Sequence, residues 1–447
     1  MIINYSSLNS TKFTFLYSTY KTHLKLKSEM VVFFMENSNH SNVLIIGGGC
    51  AGISVASRLN SLKSNLKISI IEPSDKSLYQ AAWTLVGAGA YDKSSTIKPM
   101  SEVMPKYVNW IKNYAESFSP EQNLVKTSDG DYTYDYLVVC PGLKLNFDGV
   151  EGLKESLGKN NVCTNYDADM AVYTWECLKN LKGGNLLFTE PPMPIKCAGA
   201  PQKIAYLAAD HLKKKGALKD SNLEFLCAKP VIFGVPHFQG PLNEICDSYG
   251  ITRSFQHNLK SINGETKEAI FIQSDKDGNT KEVTKKFDFI HVTPPQTSPD
   301  FIKNSPLADA GGWVDVDHKG GTLKHTKYEN IYSLGDVMNA PNAKTGAAVR
   351  KQAPIVAHNI IKDINKSSES YRLYDGYGAC PLTVAYGKVM LAEFCYGGKV
   401  TPSFPFDPTK PSALYWQMKS KLFPFLQWNV MFKGKEWSKP AHKAVEK

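Results

Sequence analysis

Short apolar runs, each closed by glycine, proline or an acid, recur along the chain and predict strands buried on both faces of a parallel sheet. They are NVLII (42–46), LKISIIEP (66–73), YDYLVVCPG (134–142), GNLLFTE (184–190) and ENIYSLGD (329–336). Amphipathic stretches follow two of them, GISVASRLN (52–60) after the first and QKIAYLAADHLKKK (202–215) after the fourth. Strands that lead straight into helices predict an α/β fold.

The turn after the first strand carries Gly47, Gly49 and Gly52 in NVLIIGGGCAGISVASRLN. In a strand–turn–helix unit this spacing serves a dinucleotide: Gly47 for the tight turn, Gly49 for backbone approach to a pyrophosphate, Gly52 for close helix packing. The next strand ends in Glu72, near the ~20-residue spacing expected of an acid that binds a ribose hydroxyl. Two later segments separate FAD from NAD, the Pro-Gly turn at 141–142 and the strand ending in Gly335-Asp336. Disulfide-reductase-type flavoproteins close the flavin cradle in that order around an inserted domain, so the cofactor is expected to be FAD. The fold expected is α/β with two Rossmann-like dinucleotide-binding domains. In such folds the inserted domain carries a second GxGxxG for NAD(P)H. Neither the loop after GNLLFTE nor VIFGVPHFQG (231–240) has one. The flavin is therefore expected to take electrons from another donor.

The loop in that place is PIKCAGAPQK (194–203). Its Cys197 precedes a predicted helix, with Lys196 and Lys203 near in sequence, and a helix N-terminus and cations both favour the nucleophilic thiolate. A small inert buried cysteine is the competing reading. Cys380 stands before Pro381, where a Cys-Pro turn would hold its sulfur off regular structure; Cys395, after Phe394, fits a packed strand cysteine better.

Of the 447 residues 42% are hydrophobic and 21% charged, ordinary globular values, with a net charge of +10 from 52 Lys+Arg against 42 Asp+Glu. The lysines are scattered and no nucleic-acid-binding motif occurs, so nucleic acid is not an expected partner. The nine cysteines include no CxxC, which argues against a zinc or iron–sulfur site and for a reducing compartment. No metal is expected. The first 28 residues hold Lys12, Lys21, Lys25 and Lys27, with no acid before Glu29, as in an organelle transit peptide; a disordered tail, favoured by the absence of arginine, is the alternative. MVVFFM (30–35) is too short to span a bilayer, and no apolar run of about 18 residues occurs, so a transmembrane protein is not expected.

Near the end, SALYWQMKSKLFPFLQWNVMFKGKEW (412–437) predicts two short segments split around Pro424. Trp416, Leu422, Phe425, Trp428 and Phe432 interleave with Lys419, Lys421, Lys433 and Lys435. That composition suits helices lying in a lipid headgroup layer, with packing on the core as the alternative.

The words PIKCAGAPQKI, HVTPPQ, SPLADAGGWVDVD, SLGD, KTGAAV, YDGY, CPL and LAEF, in this order, resemble eukaryotic sulfide:quinone oxidoreductases, as do YQAAWTLVGAGA (79–90) and KLFPFLQW (421–428). The resemblance runs from about 42 to 437. It implies a flavoprotein of the mitochondrial inner membrane, bound to one face of it, that oxidises hydrogen sulfide and reduces ubiquinone. Cys197 and Cys380 would be joined by a disulfide or trisulfide beside the flavin. Sulfide attack would leave a persulfide on one cysteine and a thiolate on the other, by position Cys197, in charge-transfer contact with FAD. The sulfane sulfur would pass to glutathione, sulfite or a similar small acceptor. Flavin contacts carry over to Gly49, Cys50 and Ala51, to Glu72, Gln80, Ala115 and Asp336, and to Lys344, Thr345, Gly346 and Ala347. Cys50 departs from a serine found in the family and is expected to be functionless, and Cys140 is expected to be structural.

The expected organisation is a presequence (1–40), an FAD-binding domain in two parts (41–155 and 297–375), a second Rossmann-like domain without the NAD motif (156–296) and a C-terminal membrane-docking region (376–447). The rival enzyme is a type II NADH:quinone dehydrogenase, which needs the missing second GxGxxG. A non-catalytic redox-signalling flavoprotein is the rival of another class, and it leaves Cys197 and Cys380 without purpose.

Overall fold

The computed structural model describes residues 39–436, so MVVFFM, nearly all of the expected presequence and the last residue of the expected tail lie outside the described residues. The first strand, β1 (His40–Ile46), buries Val43, Leu44 and Ile45 completely. It lies between β2 (Ile68–Ile71) and the longer β6 (Gly130–Val139), parallel to both. β3 (Asn109–Ile111) extends the sheet beyond β2, and the antiparallel β4 (Ser117–Ser119) and β5 (Leu124–Thr127) extend it beyond β6. β12 (Ile331–Ser333) returns from far along the chain to pair with β6, Ile331 against Leu137 and Ser333 against Val139. Strands buried on both faces have to be apolar throughout, which is why the runs read continuously rather than alternating.

Helix α1 (Cys50–Leu62) turns Ile53, Val55, Ala56 and Leu59 inward at helical spacing and covers one face of this sheet. It packs against α3 (Gly346–Ile364), which covers the sheet beside it.

A second sheet, wholly parallel, is built from β7 (Val162–Cys163), β8 (Gly184–Glu190), β9 (Ser221–Cys227), β10 (Thr252–Phe255) and β11 (Phe289–His291), in the order β7-β11-β8-β9-β10. Helix α2 (Ala200–Lys215) follows β8. Pro201 stands in its first turn, where the missing N–H costs nothing, and Gly216 ends it in the left-handed conformation at φ 77°. Ile204, Tyr206, Leu207, Ala208 and Leu212 are all buried, because α2 is clasped between the second sheet and a hairpin of β13 (Gly378–Ala385) and β14 (Lys388–Phe394).

The hairpin corrects one expectation. Cys380 is not in a turn: it lies within β13, opposite Ala392. Pro381 is tolerated because β13 has a single strand partner, leaving one edge free of ladder bonds.

The tail also differs from two segments split at Pro424. It is one helical run, α4 (Ala413–Gln417), a π-turn (Met418–Leu422) and α5 (Phe423–Asn429). The wider turn precedes the proline, and Pro424 falls in the first turn of α5, where it does not break the helix. Tyr415, Met418, Leu426, Trp428 and Phe432 are buried, whereas Leu414, Leu422 and Phe425 are 53%, 37% and 55% exposed. Ser57 donates to the Phe432 carbonyl at 2.9 Å, and Glu436 pairs with Arg58 and Arg372. The tail is thus partly core and partly surface. No helix among the described residues is long and apolar enough to cross a membrane.

Candidate active site

The chain leaves β8 at Glu190 and reaches Cys197 through a proline-rich loop. Cys197 adopts φ 50°, a conformation that a non-glycine side chain enters only when its surroundings enforce it. Its N–H donates to the Lys344 carbonyl at 2.9 Å, and its own carbonyl accepts from Ala200 N at 2.7 Å. The loop is thereby pinned to the segment before α3 on one side and to the start of α2 on the other. Lys203, one turn into α2 and 1% exposed, donates to Cys197 Sγ at 3.1 Å. Cys380 Sγ fills the space over Gly199, where a Cβ would lie only 2.4 Å from it.

Two sulfurs from segments far apart in sequence therefore share one buried ammonium. The Cys380 thiol beside it, and after that Lys203 and Lys419, hold Cys197 well below the ordinary thiol range despite its burial. Cys380 is pushed the other way by that same contact with Cys197 and by burial. One thiolate and one thiol is the expected state of the reduced pair. Burial alone would lower Lys203, but Cys197 and Cys380 leave it raised overall.

Sequence order suggested Lys196 as a second cation for the thiolate. Its ammonium instead donates to Gln80 Oε1 at 2.6 Å. The cation that sequence did not suggest is Lys419, from the π-turn of the tail. It is 5% exposed, donates to the Ala81 carbonyl at 3.3 Å, and is brought down to about 7 by burial and by Lys203. An alternating Lys-aromatic pattern contains no sign of which lysine turns inward.

The expected cofactor residues gather around the carboxyl ends of β1, β2 and β12. Gly47, at φ 99°, lies so close to the Cys140–Pro141 turn that a Cβ would come 2.6 Å from the Cys140 carbonyl. A Cβ on Gly52 would lie 1.9 Å from the Gly47 carbonyl. A Cβ on Gly49 would meet no chain atom within 4 Å, so that glycine faces open space at the N-terminus of α1. Glu72 accepts from Gly48 N at 2.7 Å and from Ser74 N at 2.8 Å, and each oxygen can still accept another bond. Cys50 and Ala51 open α1; the Cys50 thiol is pushed up to about 12 by burial and by Asp336, which favours its protonated form.

Ala115, 7% exposed, follows β3 at the far end. Asp336 lies just past β12, raised by burial and lowered in part by Lys344 and Lys196. Lys344 donates to the carbonyls of Asp336 and Met338 at 2.7 and 2.8 Å, so its side chain braces the loop. The Thr345 hydroxyl caps α3 by accepting from Ala348 N at 3.2 Å, and a Cβ on Gly346 would again meet nothing. The first-turn N–H groups of Gly346 and Ala347 lack intrahelical acceptors. Two open helix N-termini with an acid between them fit the pyrophosphate, ribose and ring carbonyl of FAD.

A dinucleotide turn, a second parallel sheet and a paired thiol define the class of pyridine nucleotide-disulphide oxidoreductases, and the model of that family matches residues 41–171. The mitochondrial sulfide:quinone oxidoreductase of Dictyostelium discoideum is 44% identical over 90% of this chain and 88% of its own, and that of Mus musculus 39% over 90% and 88%. The solved sulfide:quinone oxidoreductase of Aquifex aeolicus superimposes with a TM-score of 0.73 at 25% identity, over 89% of this chain and 92% of its own. The chain belongs to the sulfide:quinone oxidoreductase family.

Proposed function

We propose that this protein oxidises hydrogen sulfide through Cys197 and Cys380 and delivers the electron pair, by way of FAD, to ubiquinone. The observation that carries the reading is the meeting of the two sulfurs around the Lys203 ammonium. Hydrosulfide attacks the bond joining the oxidised pair: one sulfur–sulfur bond breaks, another forms, one cysteine holds a persulfide and the other leaves as a thiolate. Cys197 is the better leaving group, because Cys380 and Lys203 stabilise its anion. FAD, when bound, would supply the two-electron acceptor for the pair and the link to quinone. Gly47, Gly49, Cys50, Ala51, Gly52, Glu72, Gln80, Ala115, Asp336 and the 344–347 segment are the residues that would hold it. A small thiolate or sulfite removes the outer sulfur of the persulfide.

We place the protein on one leaflet of the inner mitochondrial membrane: the exposed Leu414, Leu422 and Phe425 support the docking, and relatives named mitochondrial support the organelle. Lys419 is excluded from that surface by its burial. The domain limits expected from sequence are kept as part of the reading. Anaerobic sulfide should bleach the flavin absorbance, and a short-chain quinone should restore it. Bleaching by NADH at a comparable rate would replace this reading with that of a type II NADH dehydrogenase.

A further inference from the structure

The words YDGY and LAEF have no part in the reaction as described, yet the fold brings them together. Tyr377 closes YDGY just before β13, and Glu393 is the acid of LAEF near the end of β14. Tyr377, 6% exposed, donates its hydroxyl hydrogen to Oε1 of Glu393, which is itself 4% exposed. The phenol oxygen accepts in turn from Arg350 Nη2 at 3.0 Å, one turn along α3 from Gly346. From the other side Ser403 donates twice to the same carboxylate, its hydroxyl to Oε1 at 2.6 Å and its N–H to Oε2 at 2.8 Å. Ser403 is exposed. An unbroken series of hydrogen bonds thus runs from the surface at Ser403, through a buried carboxyl and a buried phenol, to a helix whose first turn borders the flavin cradle.

Alternation along β14 decides which side this series serves. Met390 and Ala392 pack with Cys380 and the residues of α2, whereas Val389 and Leu391 pack with Tyr415 and Met418 of the tail. Glu393 shares the face of Val389 and Leu391. The hairpin therefore keeps the sulfur on one face and this carboxyl on the other, toward the run that exposes Leu414, Leu422 and Phe425. Gly378, next to Tyr377, lies so close to Ala343 that a Cβ on it would come 2.7 Å from the Ala343 Cβ, just before the 344–347 segment. Tyr377 and Glu393 stand between that segment and the docking run, on the side from which a lipid-borne quinone arrives.

Quinone reduction needs a proton there. Hydrosulfide, sulfite and quinone yield thiosulfate and quinol: the sulfur is oxidised by two electrons, and the quinone takes up the same two. Hydrosulfide brings one hydrogen and the quinol holds two, so one proton is drawn from water at each turnover. Resting on the quinone-reducing reading above, we infer that Glu393 and Tyr377 deliver this proton to the quinone oxygen. Tyr377 gives its hydroxyl proton to the reduced quinone and takes one from Glu393, which is protonated from water beside Ser403. Burial disfavours the transient phenolate, and the Arg350 guanidinium beside it favours it. The other charged or titratable groups near the carboxyl are Lys351 on α3 and Tyr415 on α4.

The test compares an electron acceptor that takes up protons with one that takes none. The FAD-loaded full chain is reduced anaerobically by sulfide or, without sulfur exchange, by dithionite, and flavin reoxidation is followed with a short-chain quinone or with ferricyanide. Glu393→Gln and Tyr377→Phe should each slow reoxidation by quinone roughly 100-fold, with ferricyanide reoxidation and sulfide bleaching as in the wild type. The loss should lie in the limiting rate and not in the quinone concentration at half-saturation, and Glu393→Asp should recover part of it. Should Glu393→Gln not fold, Tyr377→Phe decides alone. Equal losses with ferricyanide, a loss confined to half-saturation, or wild-type rates with quinone overturn the proton input. If quinone reoxidises the dithionite-reduced wild type with the expected loss in the variants, yet sulfide does not bleach the flavin, the sulfide reading falls and the proton input stands.

Discussion

Lys203 Nζ lies 3.1 Å from Cys197 Sγ, and the two residues are separated by less than two helical turns of chain. The contact exists because Cys197 takes up a left-handed backbone conformation that swings its sulfur over the first turn of α2.

Removing that ammonium raises the Cys197 pKa, because Lys203 favours the charged form of the thiol. In Lys203→Met, the midpoint of alkylation of the reduced pair by iodoacetamide should move to higher pH. Once that midpoint lies above neutrality, each further pH unit lowers the thiolate fraction at pH 7 about tenfold. Sulfide-dependent bleaching should slow in parallel, and Lys203→Arg should recover part of both. An unchanged alkylation profile would show that Lys203 does not set the thiolate.

Cys197→Ser and Cys380→Ser should each abolish sulfide-dependent quinone reduction and retain flavin, since neither sulfur builds the open cradle at Gly49. The fully buried Cys163 and Cys227 answer differently. Serine there places a hydroxyl in the core at a cost of about 1–3 kcal/mol in stability, with turnover per bound flavin preserved. Urea melts and flavin-normalised rates separate the two kinds of cysteine. Turnover in either of the first two variants refutes the relay.

The glycine turn gives a matched pair of substitutions. Gly52→Ala forces a Cβ to 1.9 Å from the Gly47 carbonyl and should destabilise the fold, leaving little soluble protein. Gly49→Ala meets no chain atom within 4 Å, so the fold should hold while flavin content drops steeply. Circular dichroism and the absorbance ratio of flavin to protein report the two effects separately. A Gly49→Ala protein with full flavin would move the pyrophosphate away from α1.

Truncating the tail is not a clean test of docking, because Trp428 and Phe432 are core and Lys419 lies beside the cysteines. Leu414→Ser, Leu422→Ser and Phe425→Ser together change only partly or largely exposed side chains. Flotation with liposomes and reduction of long-chain quinone should both fall by tenfold or more, with sulfide bleaching unaffected. Membrane binding that survives all three substitutions places the anchor elsewhere.

Local order sufficed for much of this protein. The dinucleotide turn was legible because its strand, glycines, helix and acid are neighbours, and each constraint is a short-range steric one that shows as a residue type. GNLLFTE (184–190) is a strand with the expected limits, and the helix expected at 202–215 extends to Ala200–Lys215, for the same reason. The candidate thiol Cys197 was visible from its place before that helix. Its partner could be named only through family resemblance, because β13 reaches Gly199 by packing of the hairpin on α2. The same holds for the inward turn of Lys419 and the departure of Lys196 to Gln80. A lysine, a tyrosine or a glutamate has the same letter whether it faces water or a buried sulfur. What distinguishes them is burial and the charge of neighbours hundreds of residues away, and only the closing of two sheets, a hairpin and a tail around one loop supplies that.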